Sequence, residues 1–170
     1  METPGGAIRR GFFFSRTPMP IHIYVDADAC PVKDDVLKVA ERHNLRVTFI
    51  GNRWLRGLDH PLVDQVVAPE GLDAADNLIA EKIEAGDLVV TADIPLAGRC
   101  LAKGARGIDH RGKVFDEGSI GMAVAVRDLM TSLRDTGQIN GGGPSGYSKQ
   151  DRSRFLDGLE RVVQTLKKGV

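Results

Sequence analysis

The sequence has little cysteine, few aromatic residues and no excess of either charge. Its two cysteines, Cys30 and Cys100, show no metal-ligand spacing. Without an export signal they exclude a disulfide scaffold and read as small buried hydrophobes of a cytoplasmic protein. Lys plus Arg and Asp plus Glu balance at 23 each. That removes any bulk electrostatic case for nucleic acid, while leaving room for a local basic patch. Aromatics make up only 5%, with a single Trp, whereas the 20 glycines suit an α/β domain with many tight connections. No apolar run approaches the ~18–20 residues of a membrane span, so no membrane partner is expected. Arg9-Arg10-Gly11-Phe12-Phe13 has the form of a twin-arginine export signal. The apolar run stops at Phe14, however, and Ser15-Arg16-Thr17-Pro18 follows in place of a signal core. Residues 1–18 are expected to be a disordered extension or to lie upstream of the true start, and residues 19–170 a single domain.

What is present is a repeated alternation of apolar runs and amphipathic stretches. Ile21–Val25 is nearly all apolar, as in a strand buried on both faces. Pro31 suits the first turn of a helix that runs to His43, with Val32, Val36, Val39 and Ala40 on one stripe and Asn44 as its stop. Arg46–Ile50 and Val63–Val67 read as strands. Asp73 is placed to cap a helix over Ala74–Glu84, with Ala75, Leu78, Ile79 and Ile83 buried. Leu88–Thr91 is a fourth strand. Pro95 opens a third helix that stops at Gly104, and Arg106–Ile108 is a short fifth strand. A longer helix is expected over Ile120–Leu133, a glycine-rich loop over Gly137–Gly146, and a last helix from Ser148 with a Ser148–Asp151 capping box. Strands alternating with helices predict a mainly parallel sheet.

Two strands end in acids. Asp26 and Asp28 follow the first, and Asp93 follows the fourth; Asp76 opens the helix between. If the first and fourth strands are neighbours, these carboxylates converge. Like charges that close destabilise one another unless neutralised. Mg²⁺ or Mn²⁺ is the ordinary solution, since hard cations take oxygen ligands. Such a site activates water for in-line phosphodiester hydrolysis. The bland alternative is that the acids cap helices and turns.

The stretch A-A-D-N-L-I-A-E-K-I-E-A-G-D-L-V-V-T-A-D-I-P-L-A, Ala74 to Ala97, resembles the core of PIN-domain nucleases. The resemblance implies a three-layer, Rossmann-like α/β domain with a mainly parallel sheet and extra C-terminal helices. It also implies metal ligands at Asp26, Asp76 and Asp93. PIN nucleases add a helical Glu that Glu41 and Glu70 do not match in context, so Asp28 is the residue available in its place. From Ile21 onward the chain is similar to a narrower group, the bacterial YaiI/YqxD family. The D-A-D-A-C-P-V-K, T-A-D-I-P-L-A, G-G-P and S-x-x-D-R-x-x-F segments carry that similarity.

Around these acids the sequence offers polar loops. Asn52, Arg53 and Arg56 follow the second strand, His110 and Arg111 the fifth, and Arg152 opens the last helix. Arginine forks suit phosphate oxygens, so Asn52, Arg56, Arg111, Arg152 and Lys33 are candidate substrate contacts. Arg111 or Arg152 could instead pair with Asp28 or Asp93. Trp54 either stacks on a base or packs. His22, His43 and His60 read as structural or exposed. Three functions follow. The first is a divalent-metal-dependent nuclease or phosphodiesterase on single-stranded RNA or DNA. The second is a non-catalytic RNA- or protein-binding module. The third is a haloacid-dehalogenase-type phosphatase with Asp26 as nucleophile, from the D-x-D form of Asp26-Ala27-Asp28.

Overall fold

A computed structural model describes residues 20–27, 32–71, 73–116, 118, 120–121 and 148–168. Its elements are β1 His22–Asp26, α1 Lys33–His43, β2 Arg46–Gly51, β3 Val63–Val67, α2 Ala74–Lys82, β4 Leu88–Val90, α3 Ile94–Ala102, β5 Arg106–Ile108, β6 Val114–Phe115 and α4 Lys149–Lys167. The strands form one sheet in the order β3-β2-β1-β4-β5-β6. All neighbours are parallel except β5 and β6. The expected α/β architecture with a mainly parallel sheet is therefore present. Pro31, the helix over Ile120–Leu133 beyond residue 121, and the glycine-rich loop lie outside the described residues.

Strand alternation divides the core into two layers. Ile23, Val25, Val47, Phe49, Leu88, Val90 and Ile108 point to one face, where α1 and α4 cover them. Tyr24, Ile50 and Val89 point to the other, under α2 and α3. The crossover β1-α1-β2 runs one way along the sheet, and β4-α3-β5 runs the other. Right-handed connections then place α1 and α3 on opposite faces. The β2–β3 connection, residues 52–62, has no helix; Leu58 is buried there and Leu55 packs beside it on the first core.

Local chemistry sets the element ends. Asn44 adopts the left-handed conformation that closes α1 (φ 54°), a geometry Asn tolerates better than most residues. α4 begins with both halves of the expected capping box: Asp151 N donates to Ser148 Oγ at 3.0 Å, and Ser148 N to Asp151 Oδ2 at 3.1 Å. α2 stops at Lys82, two residues before its expected end. There the Asp87 carboxylate draws in Glu84 N at 2.9 Å, and Ile83 turns extended. Asp73 does occupy the N-cap position of α2, but it has φ 64° and makes no capping hydrogen bond. A side-chain cap needs extended backbone at that residue.

The last helix is held to the body at three places. Arg152 Nε donates to the buried Asp35 of α1 at 2.9 Å. Glu160 accepts from Arg42 Nη1 and pairs with His43 Nε2, each at 2.5 Å. Between them Gly112 (φ +90°) and Gly158 let the loop after β5 lie against the helix backbone. A Cβ on Gly112 would come within 2.3 Å of Arg154 O.

Candidate functional site

The strand order reverses between β1 and β4. From β1 the chain builds outward to β2 and β3; from β4 it builds the other way. In open α/β sheets this switch point leaves a crevice at the carboxyl ends of the strands, and ligands bind there. The acids singled out in the sequence sit at that edge.

Asp26 is the last residue of β1 and shares the parity of Tyr24, so its side chain points to the face covered by α2 and α3. Val25 pairs with Val90, which brings Asp26 beside Thr91 one step later. Thr91 Oγ1 donates to Asp26 Oδ2 at 2.9 Å and accepts from Asp93 N at 3.0 Å. One buried hydroxyl thus ties the ends of two strands together. Asp93 is the N-cap of α3, its Oδ1 accepting from Leu96 N at 3.0 Å. The capping role weighed for the acids is therefore real for Asp93, and it fixes only one of the carboxylate oxygens.

Asp76 stands in the first turn of α2. Burial pushes its carboxyl up to about 6, helped by the charges of Asp93, Asp26 and Asp73 and by a hydrogen bond with Asp93. Asp76, Asp93 and Asp26 therefore face one another, from three segments. Two helix N-termini, those of α2 and α3, meet here as well, and their dipoles offset part of the negative charge.

The donor chemistry suits a hard divalent cation: the groups are all carboxylate oxygens, and their mutual repulsion is what a cation relieves. Among the described residues, no group of three or more His, Cys, Asp or Glu is closed into a ligand set as placed. Asp28, the fourth expected acid, lies outside those residues.

The expected substrate contacts are more dispersed. Lys33 Nζ donates to Arg56 O at 2.9 Å, so it supports the 52–62 connection. The Arg56 and Asn52 side chains are exposed on that connection. Arg111 Nε lies 4.0 Å from Asp151, and Arg152 pairs with Asp35; these two arginines meet acids of α4 and α1. His22 stacks on Tyr24 at 4.4 Å and meets Thr48 Oγ1 at 2.6 Å, at the opposite, amino end of the strands. Cys100 is buried, and burial raises its thiol to about 11. Cys30 lies outside the described residues.

Thr91 belongs to the site although its residue type alone does not mark it. Its signal was available: in L-V-V-T-A-D it has the strand parity that points it to the same face as Asp26. The role of Asp35 carries no local sequence signal, because its arginine lies 117 residues away.

Among the described residues no helix is long and apolar enough to cross a membrane. The family model described as uncharacterized, YaiI/YqxD, matches residues 24–165. A UPF0178 protein of Parvibaculum lavamentivorans is 58% identical over 146 residues, covering 86% of this chain and 95% of the relative. One from Rhodopseudomonas palustris is 57% identical over 144 residues (85% and 90%). One from Agrobacterium fabrum is 52% identical over 151 residues (89% and 98%). With the family model spanning the sheet and its flanking helices, and relatives matched over nearly their full length, the chain belongs to the YaiI/YqxD family.

Proposed function

We propose that this protein is a divalent-metal-dependent nuclease or phosphodiesterase acting on single-stranded RNA or DNA at the Asp26–Asp76–Asp93 edge of the sheet. The observation that carries this is the meeting of three carboxyls at one sheet edge: Asp26 and Asp93 are joined through Thr91, and Asp76 is hydrogen-bonded to Asp93, with burial and its acidic neighbours raising the Asp76 carboxyl to about 6. Structural capping needs no such cost, because one acid per helix suffices. Perturbed carboxyls in a cleft are a mark of functional sites.

Asp26, Asp76 and Asp93, joined by Asp28, would hold Mg²⁺ or Mn²⁺. When bound, such an ion neutralises charge and polarises a phosphoryl oxygen. The chain's own contribution is positioning. Burial and Thr91 fix the Asp26 carboxylate, and Leu96 N fixes one oxygen of Asp93. Asp76 rides on the first turn of α2 and completes the acidic face.

Asp26 as a phosphatase nucleophile has less support. It would have to reach phosphate, yet the residue is 5% exposed and its carboxylate is held by a hydroxyl. For the non-catalytic module, Arg111 and Arg152 are the arginines expected at these acids, and they engage Asp151 and Asp35 instead.

The test is incubation of single-stranded RNA and DNA with the native chain in Mg²⁺ or Mn²⁺, beside Asp76→Asn and Asp93→Asn. Metal-dependent cleavage that both variants lose is expected. Cleavage that persists unchanged in both variants, or none with native protein on any strand, overturns the proposal.

A further inference from the structure

The β2–β3 connection carries a second feature, one that the acid edge does not use. Trp54 is 66% exposed, although it is the largest apolar side chain available and the only tryptophan. The segment around it is well anchored. Gln65 of β3 grips Leu55 from both sides, accepting from its N–H and donating to its carbonyl at 3.1 Å. Lys33 Nζ holds Arg56 O at 2.9 Å, and His60 Nδ1 accepts from Leu62 N at 3.1 Å. Leu55 and Leu58 pack on the first core. The backbone is thus fixed on both sides of an indole left in solvent. Trp54 is one wall of a cavity of about 400 Å³ that Leu55 to His60, Val63 and Gln65 also line.

We propose that this cavity is a nucleobase-binding subsite for single-stranded nucleic acid. Trp54 offers a flat ring on which a base of any identity can stack. Arg53 and Arg56, its near neighbours in the chain, are exposed, and a guanidinium fork suits phosphate oxygens. Asp59 lines the same cavity and can accept from the amino or imino group of a base edge. A simple polyanion has nothing to give Asp59 or the indole, so a stacked base fits this lining better than phosphate alone. Because these hydrogen bonds hold the loop backbone, little ordering remains to be done on binding.

The choice of nucleic acid rests on the phosphodiester reading of the acid edge, but binding at Trp54 needs no metal, so the two are tested apart. With one tryptophan, fluorescence excited selectively at the indole reports this site alone. Native protein in EDTA is titrated with short oligouridine, oligoadenosine and an abasic oligomer of equal length. Saturable quenching by the two base-bearing strands is expected. The abasic strand should bind about tenfold more weakly, the loss of one stacked base. Anisotropy of a labelled oligonucleotide should show Trp54→Ala weakened by a similar factor and Trp54→Phe largely restored. Absence of quenching by any base-bearing strand, or equal affinity for the abasic strand, overturns the subsite. So does a Trp54→Ala variant that binds like the native chain. Quenching without metal-dependent cleavage would count against the hydrolase alone, and cleavage without quenching against Trp54 alone.

Discussion

Replacing Asp76 by Asn should stabilise the metal-free protein at neutral pH. The native carboxyl is held up at about 6, against an ordinary value of 3.8, with burial as the largest cause and Asp93 next. At about 1.4 kcal/mol per pH unit this displacement has a ceiling of about 3 kcal/mol. Asp76 is only partly buried, so solvent screening reduces that to about 1 kcal/mol. Losing a first-turn acid from α2 costs about 0.3 kcal/mol of helix-dipole interaction. The net gain is then about 0.5–1 kcal/mol, or about 1–4 °C in Tm for a domain of this size. The sign with pH is fixed by linkage. Folded Asp76 keeps its proton up to about 6, whereas the unfolded residue releases it near 3.8. Its contribution is therefore fully present below the unfolded value and is lost as pH rises through about 6. Asp87 is also raised, by burial, while the hydrogen-bonded Asp151 and Glu160 are lowered, so the native curve alone mixes opposing trends. The difference between native protein and Asp76→Asn isolates the one group. Thermal unfolding in EDTA across pH 4 to 8 should show the variant gaining on the native chain between about pH 4 and 6 and staying ahead above it. A variant that is less stable at pH 8, or a difference that does not change with pH, would refute the reasoning.

Other perturbations test the frame that holds the site. Gly112→Ala places a Cβ 2.3 Å from Arg154 O at φ +90°, so a loss of about 2 kcal/mol or more is expected in denaturant unfolding. Asp87→Ala removes the acceptor for His22 N (3.2 Å) and Glu84 N (2.9 Å) at the amino end of β1. About 1–3 kcal/mol should be lost, again read from the unfolding midpoint. Buried Cys100, with its thiol raised to about 11, should resist thiol reagents in the folded protein and react only on unfolding.

The sheet was legible because its strands are short runs of β-branched residues bounded by glycine, proline and aspartate. Val63–Val67 and Arg106–Ile108 fall where the pattern put them. β6 was not, since two residues carry no periodicity, and its antiparallel pairing with β5 comes from the tight turn at Gly112. The acids at the site were visible as strand and helix ends, but their meeting depended on β1 lying beside β4. That is a matter of topology, which no single segment states. The pairing of Arg152 with Asp35 was hidden for the same reason. Asp73 looked like a cap by residue type and failed by backbone conformation, which residue type alone does not determine.

The most direct measurement is calorimetric titration of Mn²⁺ and Mg²⁺ into the native chain and into the double variant Asp26→Asn/Asp93→Asn. Saturable binding by the native chain that disappears in the double variant, while the variant still unfolds cooperatively, is the expected result. Absence of binding by the native chain at millimolar metal, or binding that survives in the double variant, would contradict a metal site at the carboxyl edge of β1 and β4.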